Sequence, residues 1–521
     1  MASYDAVVVG SGINGLAAAL HLVTKGWKVA VCERAEAAGG AVKTGEITLP
    51  GFRHDLYAMN LGLFAGSPFL AAHKERLLAH GLEFASAERC FATAFPDGTW
   101  LGVEKNADAN AARIEAFSAA DATRWRAMTE AFGADAPHIF ALLGSPLPSW
   151  QALRVAFAAW RTRGTAWLAD TVRLLLASPR EWLDENFEND KLKTMLAIWG
   201  MHLDFSPDCA GGALFPYLES MADQAFGMAI GRGGAGTIVS ALTAAITAAG
   251  GAVRLNAPVR EIAIEAGAAK AVVLQGGERL EATRAVIANL HPRVLFGKLV
   301  PASSAAAQKL AKFRPGPATM MIHFALNDLP AWSAGEELRR FAYVHLAPSL
   351  GALAKTYTDA LDGLLPAEPG LVVGQPTAID PSRAPAGKHV LWVQVRVLPS
   401  WIRGDAAGQI AATEWRDVKH AYADRVCSII ERYAPGFRSR ILARAVLSPE
   451  DLERDNPNLV SGDSLGGSHH LDQNFLFRPA FGWSRYRTPV DRLYLVGAST
   501  WPGAGTGAGS GFMLAKMLAG A

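Results

Sequence analysis

The most constraining feature of the sequence is a glycine-rich turn that joins a short apolar strand to a helix near the N-terminus. The β-branched-rich run from Tyr4 to Val9 predicts a buried parallel strand. Gly10-x-Gly12-x-x-Gly15 follows it directly, an Ala/Leu-rich helix is predicted over 16–25, and a second apolar strand over 27–32. Gly10 permits the tight turn, Gly12 allows a pyrophosphate to approach the backbone, and Gly15 allows the helix to pack close to the strand.

Glu33 stands at the end of the second strand, where a dinucleotide fold uses an acid to accept hydrogen bonds from ribose hydroxyls. The unpaired N–H groups and the positive dipole end of the helix would hold the phosphates. An acid at this position disfavours a 2′-phosphate and therefore argues against NADP. The strand–helix–strand unit thus predicts a dinucleotide site, whereas the glycine spacing alone would be weak evidence.

Size and composition predict a globular protein of two or three domains. The chain has 521 residues, of which 50% are hydrophobic and 19% charged, and this balance excludes a disordered or coiled-coil chain. A formal net charge of +2 gives no basis for nucleic-acid binding. The four cysteines lie far apart without metal-ligand spacing, so we expect neither a disulfide framework nor a metal site.

The sequence predicts a cytoplasmic location. No apolar stretch of about 18 residues is free of charge, so no transmembrane helix is expected. The N-terminal residues lack a basic region and carry Asp5 before the apolar run, which argues against a signal peptide.

Two further glycine-rich segments lie far from the first. Gly231 to Gly236 precedes an Ala-rich helix and a set of short strands, one of which begins at Val259. A strand over 492–496 enters the loop from Gly497 to Gly511, and a closing helix is predicted over 512–518. Glycines in such loops allow a ligand or another backbone to approach closely, and a loop between strand and helix can cradle an anion or a cofactor.

The composition alternates along the chain between glycine-rich α/β segments and more helical or mixed segments. We predict an α/β fold in which a Rossmann-like dinucleotide domain is discontinuous in sequence and an α+β substrate domain is inserted. The dinucleotide domain would comprise 1–70, 226–300 and 485–521. The substrate, or cap, domain would comprise 71–225 and 301–484.

The three motifs together resemble those of flavoproteins. Glu33-Arg34 followed by Gly39-Gly40-Ala41 resembles the FAD signature of the glutathione-reductase-like proteins, and Leu493 to Gly511 resembles the C-terminal signature of phytoene-desaturase-like carotenoid oxidoreductases. The subgroup most similar in motif comprises bacterial β-carotene-ketolase-like enzymes and pyridine-nucleotide-disulfide-oxidoreductase-domain proteins, within the amine-oxidase-like superfamily. The Gly497-Ala498 pair favours the desaturases, because amine oxidases usually carry Gly-Glu there.

The resemblance implies that FAD is the cofactor, with Val259 contacting the adenine through its backbone and the C-terminal loop lining the flavin. The residues implied to bind it are Gly10, Ser11, Gly12, Ile13, Asn14, Gly15, Glu33, Arg34, Gly39, Gly40, Ala41, Val259, Gly497, Ala498, Ser510, Gly511 and Met513.

Catalytic residues are not defined by the motifs. The subgroup usually carries a histidine seven residues before the Gln of "LDQ", where this chain has Gly466. His469 and His470 stand nearer to that motif, and His470 is a candidate acid or base, although a loop-stabilising role is the alternative. Trp501, inside the flavin loop, is the second candidate and is expected to pack against the flavin ring or the substrate.

The segment from Trp150 to Trp182 alternates tryptophans with arginines, namely Trp150, Arg154, Trp160, Arg161, Arg163, Trp167, Arg173, Arg180 and Trp182. One interpretation is a cap-domain core with arginines extending to solvent. The other is a peripheral membrane surface at the mouth of a lipophilic tunnel. Both interpretations stay open from the sequence.

The resemblance implies an FAD-dependent oxidoreductase, desaturase-like, that takes a hydride from a C–H bond of a mainly apolar, isoprenoid- or carotenoid-like substrate. The electron acceptor would be a quinone or O₂. An oxidase of amines or small cyclic compounds is one alternative. An FAD-carrying binding protein with little turnover is another. Neither nucleic acid nor metal is expected to bind, and the oligomeric state is left open.

Overall fold

A computed structural model describes residues 2–300 and 304–520. The strands are β1 (Ala2–Val9), β2 (Val29–Cys32), β3 (Thr44–Gly45), β4 (His54–Asp55), β5 (Phe84–Ala87), β6 (Arg89–Ala94), β7 (Trp100–Glu104), β8 (Met228–Gly231), β9 (Ala252–Arg254), β10 (Val259–Glu265), β11 (Ala268–Leu274), β12 (Arg279–Ala288), β13 (Ala318–Leu326), β14 (Tyr343–Leu346), β15 (Leu364–Leu365), β16 (Leu371–Gly374), β17 (His389–Leu398), β18 (Gly404–Asp405), β19 (Ile441–Leu447) and β20 (Leu493–Leu495).

The helices, in the same chain order, vary from single turns to about seven turns. They are α1 (Ile13–Thr24), α2 (Gly62–Ala65), α3 (Pro68–Ala79), α4 (Ala107–Glu115), α5 (Ala119–Leu143), α6 (Trp150–Leu176), α7 (Pro179–Asn186), α8 (Asp190–Met201), α9 (Leu214–Phe226), α10 (Gly236–Ala248), α11 (Pro292–Val294), α12 (Ser304–Leu310), α13 (Leu350–Leu361), α14 (Trp415–Tyr433), α15 (Phe437–Arg440), α16 (Pro449–Asp455) and α17 (Gly509–Ala519).

The first sheet unites segments from both ends and the middle of the chain. Its order is β10-β11-β12-β1-β2-β9, with β20 paired to β12. The strands β20, β12, β1, β2 and β9 run parallel, whereas β10, β11 and β12 form an antiparallel meander. The helices α1, α10 and α17 contribute to the core that covers one face of this sheet. The predicted Rossmann-like α/β architecture is confirmed.

Both helices that flank the glycine turns begin earlier than the sequence predicts. The first begins at Ile13 rather than at residue 16, and the closing helix begins at Gly509 rather than at residue 512. Glycine has a low helix propensity, which is why the sequence places both starts too late. Tertiary packing of α17 against α1 extends the second helix through its glycines.

A second sheet, of seven strands, forms the wall of a separate layer. Its order is β19-β13-β17-β16-β14-β6-β7, and all its strands come from the segments assigned to the substrate domain. The helices α5, α8 and α9 pack in the core on one side of it, and α14 packs in the core on the other side. The exact domain boundaries stay a prediction.

No helix in 2–300 or 304–520 is both long enough and apolar enough to cross a membrane.

Candidate functional site

A cradle forms where four parallel strands of the first sheet end at one edge. The strands β1, β2, β12 and β20 run in the same direction, and at their carboxyl ends lie Gly10, Glu33, Asn289 and Gly497 respectively. Ligands of open α/β sheets bind at this edge. The topology therefore brings the first and third glycine-rich segments to one place, although nearly the whole chain separates them.

The glycines of the cradle allow backbone segments to approach more closely than a side chain would permit. A Cβ at Gly12 would lie 2.5 Å from the Asn289 side-chain nitrogen, and a Cβ at Gly39 would lie 2.3 Å from the Val42 carbonyl oxygen. Gly12 and Gly39 also form a parallel bridge with each other. The backbone of the first turn is thus packed against the Gly39-Gly40 segment, an arrangement that fits a pyrophosphate held by N–H groups.

Glu33 orients the first turn. Its Oε2 accepts hydrogen bonds from the backbone N–H of Ser11 (2.9 Å) and from the Ser11 hydroxyl (2.6 Å). Its Oε1 accepts one from the backbone N–H of Ala35 (3.0 Å). The carboxylate is therefore held at the end of β2, where Glu33 lines the cavity, and its contact with a ribose stays a prediction.

A cavity of about 630 Å³ begins at this cradle and extends toward the second sheet. Most of the residues predicted to bind the cofactor line it: Gly10, Ser11, Gly12, Ile13, Asn14, Glu33, Arg34, Gly39, Gly40, Ala41, Val259, Gly497 and Ala498.

Four of the predicted binding residues lie behind the cavity surface instead. Gly15 packs against the Gly10 carbonyl, and Gly511 packs against the backbone of Asn14. Ser510 accepts a hydrogen bond from the Gly497 N–H and donates one to the Asn14 side chain, each at 2.9 Å. Met513 accepts one from the Tyr486 hydroxyl at 3.6 Å. These residues position the cradle rather than line it.

Neither candidate catalytic residue lies on the cavity surface. Trp501 is buried and donates from its indole nitrogen to the Ser145 carbonyl at 2.9 Å, in the core beneath α17. Trp501 is therefore not among the residues that line this cavity, and its packing against a flavin ring or a substrate stays a prediction.

His470 lies in a polar cluster outside the cavity lining. Its Nε2 lies 2.8 Å from the Asp204 carbonyl oxygen, 3.1 Å from the Tyr357 hydroxyl and 3.5 Å from Cys209 Sγ. Burial raises the pKa of the Cys209 thiol to about 11, so this group is not an activated nucleophile. The contacts favour the loop-stabilising role for His470.

His469 and Arg478 support the C-terminal loop from below. His469 Nε2 accepts a hydrogen bond from the Ala504 N–H at 3.0 Å. The buried Arg478 donates from Nε (3.0 Å) and from one terminal nitrogen (2.7 Å) to the Ala498 carbonyl, and it also reaches the Ser468 carbonyl at 2.6 Å. A Cβ at Gly466 would lie 2.8 Å from that of Ala498, which explains why the loop carries a glycine at this position.

The far end of the cavity consists of residues that sequence reasoning missed. They come from the second sheet, from α8 and the two residues after it, from α9 and, for Met59, from the loop between β4 and α2: Met59, Trp199, His202, Leu203, Glu219, Met321, Tyr343, Trp392, Gln394 and Arg396. The sequence signal for some of these residues was the alternation of side chains along β17. Trp392, Gln394 and Arg396 lie two residues apart in this strand and so share one face.

The sequence model of the flavin containing amine oxidoreductase family matches residues 13–508. The chain is 31% identical to pyridine nucleotide-disulfide oxidoreductase domain-containing protein 2 of Rattus norvegicus, over 96% of this chain and 91% of that protein. It is 25% identical to the neurosporene-forming phytoene desaturase of Cereibacter sphaeroides, over 98% and 94% of the two chains. The predicted resemblance is confirmed by these matches.

Solved structures are similar in fold. The crystal structure of an oxidoreductase from Methanosarcina mazei superposes with a TM-score of 0.62, at 17% identity, covering 98% of this chain and 99% of that one.

Proposed function

Because the chain belongs to the flavin containing amine oxidoreductase family, we propose that it removes a hydride from a C–H bond of a mainly apolar, isoprenoid- or carotenoid-like substrate. Family membership makes the chain an FAD-dependent oxidoreductase, as the sequence predicted. The substrate class is supported by phytoene desaturases among its relatives, which match it over almost the whole chain.

The observation that carries the proposal is the apolar wall opposite the cradle. Trp199, Met321, Tyr343 and Trp392 line the cavity from the second sheet and α8, and Leu203 extends the same wall. Tyr343 and Trp392 lie with ring centroids 5.7 Å apart at an interplanar angle of 29°. Such a wall suits an elongated hydrocarbon, because each methylene that leaves water contributes about 0.8 kcal/mol.

The residues of the chain would act mainly by positioning. FAD, when bound, supplies the two-electron acceptor, and the protein contributes orientation, exclusion of water and the local electrostatic field. The first turn, Gly39-Gly40 and the Gly497 loop would hold the cofactor at one end. The aromatic wall would hold the substrate against it in a site from which water is displaced.

The direct test is anaerobic reduction of the bound flavin, followed by its visible absorbance. We expect bleaching with isoprenoids or polyenes and not with simple alkyl amines. Leu203→Trp would fill the apolar end and abolish bleaching while FAD stays bound, whereas Leu442→Trp, at an exposed position of β19, would leave bleaching unchanged. Bleaching by amines alone would contradict the proposal and favour the oxidase alternative.

A lipophilic substrate would be reached most readily from a membrane surface, and α6 offers a matching face. Trp150, Leu153, Phe157 and Trp160 follow one another at helical spacing, and Trp150 and Phe157 are 79% and 56% exposed. Arg154 and Arg161 lie beside this stripe and are exposed. An apolar stripe flanked by cations suits an anionic lipid surface.

Sedimentation with vesicles tests this contact. We expect binding to vesicles that contain phosphatidylglycerol, weaker binding to phosphatidylcholine, and loss of binding in Phe157→Asp. Leu361→Asp, at a 68% exposed position of α13, is the matched control and should bind as the wild type does. Equal binding of both variants would refute a role for α6.

A further inference from the structure

One corner of the otherwise apolar end of the cavity is polar. Gln394 and Arg396 reach it from β17, His202 from the end of α8, and Glu219 from α9. His202 Nε2 is buried and has no hydrogen-bond partner within the part of the chain that the structure describes. A purely hydrocarbon substrate would leave His202 Nε2 unmatched, and unmatched buried polar groups are unfavourable.

Arg396 is a half-buried cation that lines the cavity, and within the described part of the chain it has no carboxylate partner. Its Nε donates to Gln394 Oε1 at 2.6 Å, and a terminal nitrogen donates to the His202 carbonyl at 2.8 Å. No carboxylate oxygen of residues 2–300 or 304–520 lies within 4.0 Å of its nitrogens. Both acceptors are neutral, so the charge is solvated but not neutralised. Buried guanidinium groups are usually paired with an anion, because desolvation of an unpaired charge costs several kcal/mol.

Glu219 does not supply that anion. Burial raises the pKa of its carboxyl group to about 7, in spite of the opposing effect of Arg396. Asp223, one turn further along α9, is also buried and has a pKa raised by burial and by Glu219. The corner thus holds one lasting positive charge beside a carboxyl group whose burial favours the neutral form, which can donate a hydrogen bond.

We propose that this corner binds the carboxylate of an otherwise apolar substrate, such as an isoprenoid acid, with Arg396 as its counter-ion. The inference rests on the proposed function for the apolar body of the substrate and adds the chemistry of one end. It makes Arg396 a specificity-determining residue. After its contacts with Gln394 and His202, the guanidinium keeps further N–H donors for the cavity. These donors suit an oxygen anion.

Equilibrium binding to the oxidised holoenzyme tests the inference with three ligands that share one apolar body: geranic acid, geraniol and geranylamine. Calorimetry and the perturbation of the flavin spectrum both report binding without turnover. We expect the acid to bind at least about 10-fold more tightly than the alcohol, with the amine weakest, because hydrogen bonds to charged groups are the strong ones. Arg396→Met should weaken binding of the acid at least about 10-fold and change the affinity for the alcohol less than about 3-fold.

Arg396→Lys provides a second variant, in case the methionine variant fails to fold. Lysine keeps the charge but loses the planar arrangement of N–H donors. It should therefore weaken binding of the acid selectively, and by a smaller factor than methionine does. Arg416→Met, at an exposed arginine of α14, is the control and should bind all three ligands normally.

Equal weakening of acid and alcohol in the Arg396 variants, tighter binding of the amine or the alcohol, or failure of geranic acid to bind the wild type would each overturn the inference. The proposed function is refuted by a different result, namely a bound flavin that no isoprenoid reduces. The binding preference can still be measured in that case.

Discussion

Gly511, in the first turn of α17, lies so close to α1 that alanine should force the two helices apart. A Cβ at this position would be 1.8 Å from the Asn14 carbonyl oxygen, where ordinary contact begins at 3.4 Å, so the backbones must separate by about 1.6 Å. The same contact carries the hydrogen bonds of Ser510 to the Asn14 side chain and to the Gly497 N–H, both 2.9 Å. A shift of that size breaks both of them.

The expected loss of unfolding free energy follows from these contacts. Overpacking of this kind costs about 1–3 kcal/mol, and each lost hydrogen bond adds about 1 kcal/mol. Gly511→Ala should therefore destabilise the protein by about 3–5 kcal/mol and release FAD, since the Gly497 loop loses its anchor. Thermal unfolding and the ratio of flavin to protein absorbance measure the two effects.

Gly133→Ala is the matched control. Gly133 also lies within a helix, α5, but apart from its chain neighbours and the adjacent helix backbone no atom of the described residues lies within 4 Å of its added Cβ. Alanine there should be neutral or stabilise by up to about 1 kcal/mol. A Gly511→Ala protein with the unfolding midpoint and the FAD content of the wild type would refute the close-packing argument.

Three further predictions concern the cofactor loops and the acid side of the stability curve. Glu33→Gln should raise the dissociation constant of FAD at least about 10-fold, because a charged acceptor is lost; flavin fluorescence on titration checks this, and unchanged affinity would contradict it. Arg478→Met should lower the unfolding free energy by about 3 kcal/mol or more and speed FAD release, since it leaves the Ala498 and Ser468 carbonyls without their donor. Burial lowers the pKa of His323 to about 3, below its ordinary 6.5. As the pH falls below about 6.5, the unfolded chain binds a proton at this histidine before the folded chain does, so the unfolding free energy decreases. In urea unfolding, His323→Leu should flatten that acid dependence and His420→Leu, at an exposed position, should not.

The cradle was predictable because its determinants are local. Gly10, Gly12 and Glu33 fall at fixed distances within one strand–helix–strand unit, and a parallel sheet places the ends of such strands at one edge. The turn before Gly497 follows the same rule. The surroundings of Trp501 were not predictable in this way, because the hydrogen bond from its indole nitrogen to the Ser145 carbonyl depends on the packing of a remote segment.

The substrate end was not predictable from the sequence in this way. Trp199, Tyr343, Trp392 and Arg396 belong to helices and strands whose patterns are those of any buried element, and nothing local distinguishes a side chain that faces a cavity from one that faces the core. The alternation of β17 shows which residues share a face, but not what lies opposite that face.

The sequence by itself determined a Rossmann-like α/β domain, its glycine turns and the acid at the end of β2, because short-range spacing controls those features. Only the tertiary structure decided which remote side chains meet opposite the cradle, and that no carboxylate oxygen of residues 2–300 or 304–520 lies within 4.0 Å of the Arg396 nitrogens. Such juxtapositions arise from the strand order of the second sheet and the packing of α8 and α9, which bring together residues that no local pattern connects.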